Sequence, residues 1–318
     1  MPVLAIDLGG TKLALAVFSE DGILMREERI QLENRGGESV GELIIAQIEK
    51  HLSSDKDQSL SINAIGISVP GISYQSKGTV WAPNIKGWEA YPLLHQVQEV
   101  AGTIPINIDS DRTCYILGEM WQGAARGCSD AVYLAVGTGI GAGILSGGNI
   151  LRGANDIAGA IGWMAFDRPF NPDYQSCGCY ESQASGEGIG LKTRAILKQS
   201  ESYNGLLRDK PIETITAHDV FHAYEYNDPI AKKVVENCIE LWGMSIANLV
   251  SILNPQKIIL GGGVFGPAVR FIDAIHDEAM KWGQPVSMKH VSIEASLLGN
   301  NAGLYGAGFS ALQKTKAS

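Results

Sequence analysis

Two short segments combine glycine with residue types that handle phosphate. Asp7-Leu8-Gly9-Gly10-Thr11-Lys12 places two glycines between a carboxylate and a hydroxyl–ammonium pair. Backbone N–H groups in such a turn can converge on one anion, and the missing side chains let a phosphate come within hydrogen-bond distance. Thr11 and Lys12 add a hydroxyl and a positive charge, and Asp7 can hold Mg²⁺ through water. Gly137-Thr138-Gly139-Ile140-Gly141 makes a second cradle with its own hydroxyl. Ordinary hairpin turns need at most one or two glycines each, so two matching cradles in one chain point to phosphate binding. A third glycine cluster, Gly261-Gly262-Gly263-Val264-Phe265-Gly266, satisfies G-x-G-x-x-G after a strand and before a helix. The acidic residue of a dinucleotide site should follow about 20 residues on, and Glu294 comes too late. Gly262 and Gly263 therefore read as a turn against which an adenosine can lie. No G-x-x-x-x-G-K-[ST] pattern occurs, so a P-loop is not how the nucleotide is held.

Asp111 is the remaining residue of chemical interest. It follows the strand-like PINID (105–109) and opens a helical pattern over 111–123, a junction where a carboxylate can face a cleft. The pattern alone leaves two roles open, the N-cap of that helix or a general base.

These groups need rigid elements to position them. Residues 3–7 read as a buried strand, 12–18 as its hairpin partner, and 23–30 as a third strand after the Asp21-Gly22 turn. Helical spacing over 39–52 and 90–101 alternates with strands at 63–69 and 105–109. The pattern then begins again, because AIDLGGTKLALAVF (5–18) and LAVGTGIGAGIL (134–145) are each strand, glycine turn, strand. That repetition predicts a duplicated core. A helix capped by Asp228 with Pro229 at its first position ends at Asn254-Pro255. A strand at 257–260, a helix at about 267–282, a strand near 290–295 and a final helix at 302–313 follow, the last placed to pack back on the first domain.

Composition bounds the partners. The 318 residues suit about two domains, and 25 basic against 34 acidic residues give a net charge of −9, which offers a nucleic acid little attraction. Five cysteines, an odd number, suggest no disulfide framework, and the N-terminus has no basic region ahead of its apolar run, so a cytoplasmic chain is expected. Ala131 to Leu151 is 21 residues without a charge, but its period-two glycines and β-formers favour two strands over a membrane helix.

With these residues in hand, the chain resembles the ROK family of sugar kinases and repressors, within the actin/hexokinase-like fold. The resemblance rests on DLGGTK (7–12), Pro70-Gly71, Ala82-Pro83-Asn84 with Trp88, Asp111 with LGE (117–119), GTGIGAGI (137–144), the run from Arg152 to Gly162, Gly178-Cys179-Tyr180-Glu181, IILGGGV (258–264) and NNAGLYGA (300–307). It implies an α/β chain of two ribonuclease H-like domains with an interdomain cleft. The expected division is 1–110, completed by 299–318, and 111–298. It also implies ATP with Mg²⁺ as phosphoryl donor system and a sugar or polyol as acceptor. Asp7, Gly9, Gly10, Thr11, Lys12, Gly137, Thr138, Gly139, Gly262 and Gly263 would hold the nucleotide and its Mg²⁺, with Asp111 as the general base. Gly71, Asn84, Ser110, Asp111, Trp163 and Glu181 would line the acceptor. A homodimer is expected, with neither nucleic acid nor membrane as partner.

The sequence departs from the family pattern on the acceptor side. Ser110 stands where the family carries Asn, and Ala160 and Trp163 replace the Glu and His of G-E-I-G-H. Pro172 and Tyr174 fall at two cysteine positions of the zinc signature, leaving Cys177 and Cys179; a structural zinc needs four close ligands, so no zinc site is expected. The phosphate-side residues and Asp111 are intact, which favours an active phosphotransferase with an altered acceptor pocket, and plain glucose is expected to be a poor substrate. A non-catalytic ROK-type sugar sensor or regulator is the alternative. A repressor would need a DNA-binding helix-turn-helix ahead of Asp7, which only six residues precede, and a nicotinamide oxidoreductase would rest on the Gly261 turn alone.

Overall fold

A computed structural model describes residues 1–33, 35–58 and 61–317. The chain divides into two compact units, Met1–Gly127 with Ile150–Ala158 and Leu297–Ser318, and Cys128–Asn149 with Gly159–Ser296.

The first unit opens with an antiparallel meander of β1 (Val3–Leu8), β2 (Lys12–Phe18) and β3 (Leu24–Gln31). After α1 (Glu38–Gln58), β4 (Ala64–Val69) returns parallel to β1. A small hairpin, β5 (Ile72–Tyr74) and β6 (Thr79–Trp81), precedes α2 (Leu93–Ala101). Then β7 (Ile106–Ser110) joins parallel to β4 and runs directly into α3 (Asp111–Gln122). The strand order is β3-β2-β1-β4-β7.

The second unit repeats the scheme. β8 (Ala131–Val136) and β9 (Ile140–Ser146) form the hairpin, with β10 (Asn149–Ile150) at the edge. The helical segment α4 (Glu181–Ala184), α5 (Gly186–Gln199), α6 (Ala217–Glu225) and α7 (Pro229–Leu253) leads to β11 (Lys257–Gly261), which is parallel to β8. After α8 (Ile272–Trp282) and α9 (Pro285–Met288), β12 (Ser292–Ala295) pairs parallel with β11. The order β10-β9-β8-β11-β12 matches the first sheet in its antiparallel hairpin, β8–β9 like β1–β2, followed by two parallel additions. The duplication anticipated from the glycine hairpins is thus present in the topology. Ala131 to Leu151 forms strands, and no helix among the described residues is long and apolar enough to cross a membrane.

The last helix, α10 (Ala302–Ala317), belongs to the first unit. Strand alternation explains its seat, since successive side chains point to opposite faces. Leu4, Ile6, Leu13 and Leu15 pack toward Ile44 and Ile48 of α1. Val3, Ala5, Ala14 and Ala16 form the other face, against Leu304, Ala307 and Ala311. Small residues there let α10 lie close, and a Cβ at Gly66 would collide with the Ala307 carbonyl. α3 packs on α10 as well. For that reason the first unit extends to Gly127, not to residue 110, and α3 belongs to it and not to the second domain, where the expected division had placed it. α7 starts and ends as expected: Asp228 accepts from Ile230 and Ala231 N–H at 3.0 Å each, and Asn254 closes the helix in the left-handed region. The helix expected from about 267 begins with a 3₁₀ segment, Pro267–Phe271, and becomes α-helical at Ile272.

Candidate active site

In the first unit the strand β1 delivers Asp7 to the lip of the β1–β2 turn. The turn is closed by Gly9 N–H donating to the Lys12 carbonyl at 2.9 Å. Thr11 is exposed and Lys12 half-buried. Gly10 does not occupy a left-handed conformation, and a Cβ built on it would meet no atom within 4 Å. Neither backbone geometry nor packing therefore requires glycine at position 10, and the position is exposed. Asp7 sits between Ala14 and Ser68 in register, with Gly303, in the first turn of α10, directly against its carboxyl group. Burial pushes the Asp7 carboxyl above its ordinary value, while the Ser68 hydroxyl and the Lys12 charge pull it back.

Asp111 lies at the first position of α3, one residue past the end of β7. The cap is its neighbour: Ser110 has extended geometry and its hydroxyl accepts from Thr113 N–H at 3.3 Å. The capping role left open for Asp111 by sequence thus falls to Ser110. With its hydroxyl also paired to Thr113 Oγ1 at 3.0 Å, Ser110 is engaged in holding the helix end. Asp111 accepts from Arg112 N–H at 2.7 Å and from the Tyr115 hydroxyl at 3.4 Å. Burial raises its carboxyl from 3.8 to about 6, against the lowering effects of Arg112 and Tyr115 and with a further push from Asp7. An acid of that strength is largely ionised at neutral pH yet basic enough to take a proton. Arg112 reaches back to the carbonyl of Gly71 at 3.4 Å, and Gly71 has a φ of 111°, where a side chain would also strike the Trp81 carbonyl. Asn84 is exposed in a turn anchored by Trp88, which stacks on Tyr91 at 4.3 Å and donates to the Gly37 carbonyl.

In the second unit the corresponding turn joins β8 to β9. Gly137 N–H donates to Gly139 carbonyl, and the start of α5 seals the turn through Gly186 N–H to Gly137 carbonyl at 2.8 Å and Glu187 N–H to Thr138 carbonyl at 3.3 Å. Thr138 is exposed, and a Cβ on Gly137 would again meet nothing within 4 Å. The same holds for Gly263. Gly262 differs, because it has a φ of 90° and lies against the Val136 carbonyl, so glycine there is a requirement of the fold. Glu181, at the start of α4, accepts from Ile140 N–H through Oε2 at 2.6 Å and is wedged against Gly139 and Gly162. Burial pushes its carboxyl up and the Ile140 N–H opposes this. Glu181 therefore ties the turn to the segment carrying Trp163, whose side chain is 57% exposed. Cys179 is buried with Phe166 N–H on its sulfur at 3.4 Å, and Cys177 is partly exposed. Among the described residues no three His, Cys, Asp or Glu side chains gather as a metal-holding group.

Sequence reasoning missed several partners of these residues. Tyr115 is one turn on from Asp111, an i,i+4 relation that could have been read. Asp109, only 1% exposed, forms a two-pronged ion pair with Arg152, its oxygens 2.7 and 2.5 Å from the guanidinium nitrogens. Nothing in the sequence signals that pairing across 43 residues.

The model of the ROK family matches residues 3–314. A glucokinase of Halalkalibacterium halodurans is 32% identical over 96% of this chain and 93% of its own length. A xylose repressor of Caldicellulosiruptor bescii is 29% identical over 96% of this chain and 76% of its own. The crystal structure of a ROK family glucokinase from Streptomyces griseus in complex with glucose and AMPPNP superposes with a TM-score of 0.77, at 27% identity, covering 98% of this chain and all of that one.

Proposed function

Because the chain belongs to the ROK family, we propose that it is a carbohydrate kinase that moves the γ-phosphoryl group of ATP to a hydroxyl of a sugar or sugar-like polyol. The observation that carries this reading is Asp111, a carboxyl group at a helix start, released from capping by Ser110 and raised to about 6. In the reaction its carboxylate takes the proton of the acceptor hydroxyl as that oxygen bonds to phosphorus and ADP departs. The open glycines support the donor assignment: Gly9, Gly10, Thr11 and Lys12 in one unit, and Gly137, Thr138, Gly139 and Gly263 in the other, offer backbone and hydroxyl donors with no Cβ in the way at Gly10, Gly137 and Gly263. Gly262 shapes the turn beside Gly263. Asp7, a single half-buried carboxylate, fits an outer-sphere hold on Mg²⁺. Mg²⁺ when bound neutralises phosphate charge.

For the acceptor, the candidate residues of the first unit are Gly71, Asn84, Ser110 and Asp111, and those of the second unit, taken by itself, are Trp163 and Glu181. Glu181 commits one oxygen to Ile140, leaving Oε1 for a sugar hydroxyl. The exposed Trp163 ring presents an apolar face where the family pattern has histidine, so the favoured acceptor carries an apolar edge, a substituent or a missing hydroxyl. A coupled ADP-release assay over hexoses, amino sugars and cyclitols tests the kinase reading, and release with none of them rejects it. The similarity to a xylose repressor favours one second reading, a sugar sensor without catalysis; sugar binding with no ADP release would establish it. The active species is taken to be a homodimer, for which light scattering should give twice the chain mass.

A further inference from the structure

A cavity of about 380 Å³ lies within the first unit, away from the β1–β2 turn. Its polar walls include the strand β7 through Asn107 and Asp109, and the helix α10 through Ser310, Gln313 and Lys314. Arg152 closes it, and Leu117 and Ile150 give it an apolar side. Its volume lies within the usual range for small-ligand pockets, about 300–1,000 Å³. Two features of its lining suit a polar, anionic ligand. Asn107, a mostly buried amide side chain that is 8% exposed, lines the cavity. Arg152 is held rigidly by Asp109 through two of its nitrogens, which leaves the remaining N–H groups of a preorganised fork. Lys314 brings a second cation to the rim, in a chain whose net charge is −9.

We infer that this cavity is a second ligand site, for a small sugar or polyol phosphate, with Asn107 and Gln313 reading hydroxyls and Arg152 and Lys314 taking the anionic group. Its position gives it a route to the reaction. β7 continues directly from Asn107 and Asp109 into Ser110 and Asp111. α10 carries Gln313 and Lys314 about ten residues, or roughly 15 Å, beyond the Gly303 that abuts Asp7. Asp111 therefore follows directly on one element that lines the cavity, and Asp7 abuts the first turn of another. A ligand there acts as an effector through differential contacts with these two elements.

Calorimetric titration with glucose 6-phosphate tests the site without requiring any phosphoryl transfer, so its outcome is separate from that of the kinase reading. The expected result is saturable binding that weakens about tenfold or more in Gln313→Glu and in Lys314→Glu, both at exposed positions, and stays within about twofold in Asp111→Asn. Absence of binding up to about 5 mM, equal affinity in the wild type and both rim variants, or loss only in Asp111→Asn would each overturn the proposal. Inorganic phosphate binding as tightly as the ester would overturn the assignment to a sugar or polyol phosphate.

Discussion

Replacing Asp111 by Asn separates a base from a structural carboxylate, because the two roles move activity and stability in opposite directions. Ser110 provides the cap, and Asn can still accept from Arg112 N–H, so α3 keeps its start. The carboxyl is raised from 3.8 to about 6 chiefly by burial. At about 1.4 kcal/mol per pH unit, ionising it in the folded chain costs up to about 3 kcal/mol. Its partial solvent contact reduces that to on the order of 1–2 kcal/mol. Below pH 3.8 the carboxyl is neutral in both folded and unfolded chains and there is no penalty. Between 3.8 and about 6 the unfolded chain ionises first, so wild-type stability declines as pH rises, and above about 6 the loss is complete. The Asn variant escapes this loss. It should melt about 2–6 °C higher than wild type near pH 8 and nearly level with it near pH 4. Its turnover should fall by about 10²-fold or more, and wild-type kcat/KM should rise with pH to a plateau above about 6. Thermal melts at the two pH values and a pH–rate profile on the best acceptor provide the measurements. A rate loss below about tenfold, or a variant no more stable than wild type near pH 8, would refute the assignment.

Gly10→Val should abolish ATP binding while leaving the melting temperature unchanged, because the added side chain enters open space and not the protein; nucleotide titration and a thermal melt check both halves. Ser110→Ala removes the acceptor for Thr113 N–H and should cost about 1 kcal/mol in chemical denaturation. Glucose should be phosphorylated with an efficiency below about 10⁴ M⁻¹s⁻¹. Trp163→His, at an exposed position, should raise that efficiency, and steady-state kinetics with glucose decides the point.

Much of the frame is legible in the sequence because its signals are local. Apolar runs broken by glycine locate both hairpins, and Asp228-Pro229 with Asn254-Pro255 bracket the longest helix. α5 is hidden because Gly186, Gly188 and Gly190 lower helix propensity. Packing overrides that propensity: a Cβ on Gly188 would press into the backbone of Ser182, so the helix needs the residue that disguises it. The boundary expected after residue 110 fails for a similar reason. α3 is adjacent in sequence to the second unit but buries its face on α10, a partner about 190 residues away that only tertiary packing reveals. At the site, the identity of Asp111 is legible, whereas its freedom from capping depends on the rotamer of Ser110, and Asp109 with Arg152 come together only through the fold.

The seat of α10 also sets an order of events during synthesis. One face of the first sheet, carrying Val3, Ala5, Ala14 and Ala16, is covered by residues near the C-terminus. The ribosome must build the whole second unit before that cover exists. At roughly 5–20 residues per second, the interval is about 10–30 s, during which an apolar sheet face stands open to water and to other nascent chains. A polypeptide that stalls or ends before α10 would expose it indefinitely, so the first unit depends on translation having passed that helix.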